Sequence, residues 1–156
     1  MMWTIFVLLV IFQVKHFLAD FPLQNGFMLN KFRREPRLWV PALAAHAGVH
    51  ALFTFVIVTF AQFYMGHLIS NLALSAAGAA VDFVVHFTMD RVKASPDLLG
   101  RFKALSVREF QMLRHYPGPD GEHARRSNTF FWWSLGFDQM VHHLTHYAII
   151  AILLTR

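Results

Sequence analysis

The 156-residue chain is 56% hydrophobic with a mean hydropathy of +0.41, whereas the apolar share of an ordinary soluble domain stays under about half. It has no cysteine, which excludes a disulfide framework, a thiolate nucleophile and a sulfur-ligated metal. Its formal charge of +5 is gathered in short basic stretches beside hydrophobic spans, a placement that speaks for membrane topology and lipid contact and against nucleic acid.

Four stretches are read as membrane-crossing helices, each near the roughly 20 residues that a hydrocarbon core requires: about 3–21, 39–60, 66–89 and 129–154. The first has no basic leader and no small-residue cleavage site, and it carries Lys15 and His16 where a signal peptide is apolar, so it counts as a span. Asp20-Phe21-Pro22 ends it, because proline lacks an N–H and clashes with the carbonyl four residues back. An amphipathic segment is expected from Pro22 to about Phe32, then a turn at Arg34-Glu-Pro-Arg37 into the second span. Ala61 to Met65 makes a tight uncharged return to the third. The polar stretch 91–128 reads as a loop with a Pro117-Gly-Pro-Asp-Gly121 turn cluster and one helix around Ser106 to His115. The whole is a single all-α transmembrane domain, residues 1–156.

Charge placement supports the count of four. Of the 14 Lys and Arg residues, four lie at Lys31, Arg33, Arg34 and Arg37 and eight between Arg91 and Arg126. Four spans put both basic loops on one side, the cytoplasmic one, with both termini outside; three spans would separate them. Trp3, Trp39, Trp132 and Trp133 fall near span ends, as interfacial tryptophans do.

Residues four apart on a helix share a face, so His-x-x-x-His and His-x-x-x-Asp can offer two ligands to one ion. Every span carries such a set: His16 and Asp20; His46 and His50; Asp82, His86 and Asp90; Asp138, His142 and His146. With ten histidines in the chain, a matching neighbour at one position is on the order of a one-in-ten event, so four spans in four is improbable by composition. Gln13, Thr54, Asn71, Ser75 and Ser134 extend these seams. Polar seams in a bilayer must face inward, since a central Asp costs about 2.5–3.5 kcal/mol. Rise per residue puts the shared site in the cytoplasmic half, with Asp138 and His142 deeper than His16 and His86. His67, His115 and His123 read as surface residues and His143 as one step off the seam. A plainer reading takes each Asp–His pair as interhelical glue worth about 0.6 kcal/mol and Asp20 as a cap, but glue needs only one or two such contacts.

All ten seam residues are therefore candidate ligands. Imidazole and carboxylate without thiolate suit a divalent transition metal, with zinc first and iron, manganese or nickel also accommodated. Ten donors exceed one zinc shell, so either two ions bind or some residues orient the others. A metal-bound water with Asp138 or Asp90 as general base would be hydrolytic chemistry, with Lys93 or Arg91 meeting an anionic headgroup. His142-His-x-x-His146 is similar to the histidine boxes of membrane desaturases and hydroxylases, whose further boxes this chain lacks.

The motifs His16-Phe-Leu-Ala-Asp20-Phe-Pro-Leu-Gln24, His46-Ala-Gly-Val-His50, His86-Phe-Thr-Met-Asp90-Arg-Val-Lys93 and Phe137-Asp-Gln-Met-Val-His142 resemble a family of small bacterial and phage membrane proteins known as domain of unknown function 3307. The resemblance covers nearly the whole chain. It implies a multi-span inner-membrane protein and adds Gln24, Lys93 and Gln139 as motif positions. A looser similarity is to bacterial membrane-bound metal-dependent hydrolases. Three functions are thus expected in turn: an intramembrane metal-dependent hydrolase acting on a lipid-like or phosphorylated substrate, an ion or proton carrier, and a non-catalytic scaffold. The expected partners are membrane lipids with anionic headgroups and, in an oligomer, further copies of the chain.

Overall fold

A computed structural model of the protein describes residues 2–66, 71–115 and 119–155. All regular structure among them is helical: α1 Met2–Asp20, α2 Pro36–Tyr64, α3 Leu72–Ala94, α4 Val107–His115 and α5 Pro119–Leu154, with short 3-10 turns at Met28–Phe32 and Leu99–Arg101.

α1 stops where Pro22 requires it. The expected amphipathic segment reduces to the Met28–Phe32 turn, opened by the Asn25 side chain, which accepts from the Met28 N–H at 3.1 Å. This turn folds back against α2 and α3. Arg91 fastens it: its guanidinium donates to the carbonyls of Lys31 (3.2 Å) and Arg33 (3.1 Å) and stacks 4.0 Å over the Trp39 ring. A residue of a basic loop is thereby drawn inward, since Lys31 is only 3% exposed.

α2 starts with Pro36 in the first turn, where its missing N–H has no helical partner anyway. The helix runs to Tyr64, longer than the expected 39–60, and Gly66 closes it at φ +83°, a left-handed conformation that glycine adopts without strain. The third span was expected from Gly66; α3 begins at Leu72, where Asn71 caps it by accepting from the Leu74 N–H. Residues 67–70, including His67, lie outside the described residues.

The stretch 91–128 is less of a loop than the sequence implied. α3 continues to Ala94, and a tight turn follows in which a Cβ on Gly100 would sit 2.5 Å from the Ala94 carbonyl oxygen. α4 is the expected helix. Ser106 and Glu109 form its capping box: the Ser106 N–H (2.8 Å) and hydroxyl (2.6 Å) donate to the Glu109 carboxylate, which they hold below the usual carboxylate range. α5 then opens at Pro119, about ten residues before the expected span. Pro117 and Gly118 lie outside the described residues, while Pro119-Asp120-Gly121 belongs to the helix: proline suits the first helical position and Asp120 and Glu122 suit the positive end of the helix dipole.

Three helices among the described residues are long and apolar enough to cross a membrane, those beginning at Met2, Pro36 and Leu72. The expectation of four is corrected on this measure. α5 is long enough at 36 residues, but Asp138, Gln139, His142, His143 and His146 interrupt its apolar stretch. The core has two halves. Leu8, Phe12, Val58, Ile149, Ile150 and Leu153 form an apolar cluster toward the end of the bundle where α1 begins and α5 ends. The other half is polar.

A buried histidine, aspartate and lysine cluster

Each long helix delivers its seam to the polar half of the core, because residues four apart repeat on one face. His16 from α1, His46 and His50 from α2, Asp82, His86 and Asp90 from α3, and Asp138, His142 and His146 from α5 are all buried; Asp20, at the end of α1, is half-buried. The histidines pack ring against ring. His50 stacks on His86 (3.6 Å between centroids) and His86 on His142 (3.9 Å), while His16 lies 5.3–5.7 Å from His50, His86, His142 and His146.

The contacts order the residues in layers. Nearest the α3 C-terminus, Lys31 donates to Asp90 at 2.8 Å and Lys93 to Asp138 at 2.6 Å. In the same layer His142 Nε2 lies 3.2 Å from Asp138 Oδ1, and His46 Nε2 lies 3.0 Å from Asp90 Oδ2. Asp20 faces His16 (3.2 Å), His50 (3.1 Å) and His46 (3.4 Å). In the innermost layer Lys15 donates to Asp82 Oδ2 at 2.6 Å and to His146 at 3.2 Å, and the Thr54 hydroxyl donates to the same Asp82 oxygen at 2.6 Å. This corrects the expected depths. Asp138 is level with Lys93 near the end of α3, and His142 is level with His86; the deepest members are Asp82 and His146. The expectation measured depth from residue 129 as the helix start, whereas α5 begins ten residues earlier, so residue 129 does not mark the end of the helix.

Reasoning from spacing did not find two of these residues. Lys15 served only to argue against a signal peptide, and Lys31 was counted as loop charge. Both are 3% exposed and each holds a carboxylate. Lys93, 22% exposed at its side chain, is the outermost of the three lysines. Four carboxylates thus meet three ammonium groups, and Asp20 is the one without a lysine. The motif residue Gln139 accepts from the His16 ring at 3.0 Å and donates to Asp138 at 3.2 Å. Gln24 lies in the turn after α1. His143 is off the seam and lies 3.2 Å from the Gln13 amide, and His123 is exposed.

Each clustered histidine also has a buried ring nitrogen without a hydrogen-bond partner among the described residues: Nδ1 of His16, His50, His142 and His146, Nε2 of His86, and both nitrogens of His46. Such groups are uncommon in a packed interior and point to water or an ion. Four groups could hold a metal, their ligand atoms mutually within 4.8 Å: His16, His50 and His86; Asp20, His46 and His50; Asp82, His86 and His146; Asp90, Asp138 and His142.

The fold and cluster define an all-helical protein with membrane-length apolar helices around a buried polar centre that is geometrically able to hold a metal. Residues 7–156 match the family described as protein of unknown function (DUF3307), and the chain belongs to that family. No curated protein and no solved structure matches it.

Proposed function

We propose that the protein is an intramembrane metal site of hydrolytic type, with α5 as a fourth crossing despite its polar residues. The carrying observation is the pairing on the His16, His50 and His86 rings: one nitrogen faces an amide, carboxylate or carbonyl and the other is buried without a partner. Metal-bound histidines are built this way, the partner fixing the tautomer and aiming the free nitrogen at the ion. His16 is set by Gln139 and Asp20, His50 by Asp20, and His86 by the Asp82 carbonyl at 3.0 Å with the carboxylate alongside at 3.1 Å. These three come from three helices and form the all-histidine group. Three histidines and an open position for water make a hydrolytic zinc shell.

On this reading Asp82 and Asp90, each held by a buried ammonium, orient the histidines. Asp138, held by Lys93 and Gln139 beside His142, is placed to take a proton from water. A bound zinc would supply an activated water near neutral pH. Lys93, the outermost lysine, would meet an anionic headgroup. An apolar groove of about 410 Å³ between α1 and α2, lined by Val7, Leu8, Ile11, Ile57 and Phe60 among others, suits the chain of a lipid-like substrate. Burying the α5 seam inside the bundle offsets its polarity, and the positive-inside rule then keeps both basic loops in the cytoplasm of a bacterial inner membrane, with the termini outside and anionic lipids against the loops.

The apolar cluster beyond Lys15 interrupts the polar seams and counts against the carrier. The unpartnered nitrogens count against a pure scaffold, which would satisfy them within the protein. Elemental analysis of protein purified in native lipid is expected to find a transition metal, zinc first, at near-stoichiometric level. Protein that is folded and free of such metal, and that takes up none on dialysis against zinc, iron or manganese, contradicts the reading.

A further inference from the structure

We propose that Lys15 is a built-in cation filling what would otherwise be a second metal position, so that each chain takes one ion. The inference rests on the metal reading of His16, His50 and His86 and fixes the stoichiometry of that same site. Its grounds are separate: Asp82, His86 and His146 form a second, deeper ligand group, with donor atoms within 4.8 Å of one another.

Lys15 stands in that group as an ion would. Its ammonium donates to Asp82 Oδ2 and to His146 Nε2, the two inner ligand residues that the outer ion does not use. Thr54 Oγ1 donates to the same Asp82 oxygen. Lys15 and Asp82 are buried together, the pair 1% and 0% exposed at their side chains. No solvent screens the ammonium, and a divalent cation brought beside it would meet unscreened repulsion. Asp82 Oδ1 has no well-aligned donor: His86 Nδ1 at 3.1 Å and His146 Nε2 at 3.3 Å are near it but off line. The pocket therefore keeps a free acceptor that a metal would take once the lysine is gone.

The outer layer differs in one respect. The Lys93 side chain is 22% exposed, whereas that of Lys15 is 1% exposed, so the inner ammonium is the one withdrawn from solvent.

The test is zinc per chain in full-length protein held in native lipid, loaded with excess zinc and washed with a weak chelator. Wild type is expected to keep one ion and Lys15→Met two, methionine keeping the bulk and dropping the charge; Lys15→Arg should stay at one. Lys15→Met leaves Asp82 uncompensated and folds poorly without metal, so its melting temperature should rise with zinc far more than that of wild type. The double variant Lys15→Met/Asp82→Asn, which folds without needing the second ion, should return to one. Wild type with two ions, or Lys15→Met with one ion and no added zinc-dependent stabilisation, overturns the role given to Lys15 while leaving the metal reading intact. Wild type with none and Lys15→Met with one does the reverse: the outer site fails and the Lys15 inference stands.

Discussion

On the proposed metal site, His86→Ala is expected to weaken zinc binding by more than about 100-fold, because it would remove a ligand, whereas loss of an orienting partner typically costs about 10–100-fold. His86 is the middle ring of the His50–His86–His142 stack and faces His16 as well. Its Nε2 is the buried nitrogen without a partner. Asp20→Asn should fall in the smaller range, since the amide still accepts from one histidine but cannot serve His16, His46 and His50 together as the carboxylate does. Competition against a chelator of known affinity, on protein whose melting is otherwise normal, separates the two effects. Equal losses for the two variants would mean that Asp20 is itself a ligand; no loss for His86→Ala would remove the all-histidine group from consideration.

The second large effect concerns the Lys31–Asp90 pair. Removing one partner of a buried ion pair costs about 3–5 kcal/mol, because the other charge is left without compensation in a low-dielectric interior. Lys31→Met should fall at the lower end, since Lys93 remains 3.7 Å from Asp90 and His46 3.0 Å. It should also loosen the Met28–Phe32 turn, which Arg91 and the packing against α2 would still hold. The double variant Lys31→Met/Asp90→Asn should recover most of the loss, because replacing both members of such a pair with neutral groups is often close to neutral. Thermal unfolding of the two single variants and the double variant in one lipid composition measures the coupling. Additive losses would show that the two residues do not depend on each other, and the turn would not be tied down by this pair.

The histidine and aspartate seams were legible because helix periodicity places residues four apart on one face whatever the surrounding fold, so Asp82, His86 and Asp90 could be aligned from spacing alone. The capping box at Ser106 and Glu109 and the break at Pro22 were legible for a similarly local reason. Lys15 and Lys31 were not. A lysine in a span is read as an anomaly and a lysine in a loop as a topology marker, and only tertiary packing decides which buried carboxylate each one meets. Lys31 reaches Asp90 because a 3-10 turn folds back under α2, and no periodicity encodes that return. The level of Asp138 was not legible because it is set by which residue of α3 it packs against, Lys93, and spacing along α5 does not encode that register. Helix α5 divides the two views most clearly: the polarity that keeps it out of the apolar set is the same polarity that builds the cluster.

X-ray absorption at the zinc edge of the metal-loaded protein reads the ligands of the proposed site. A nitrogen-dominated shell at about 2.0–2.1 Å is expected, with the outer-shell scattering of at least three imidazoles, and loss of one imidazole in His86→Ala. A shell of oxygens alone, or one that is the same in wild type and His86→Ala, would contradict it.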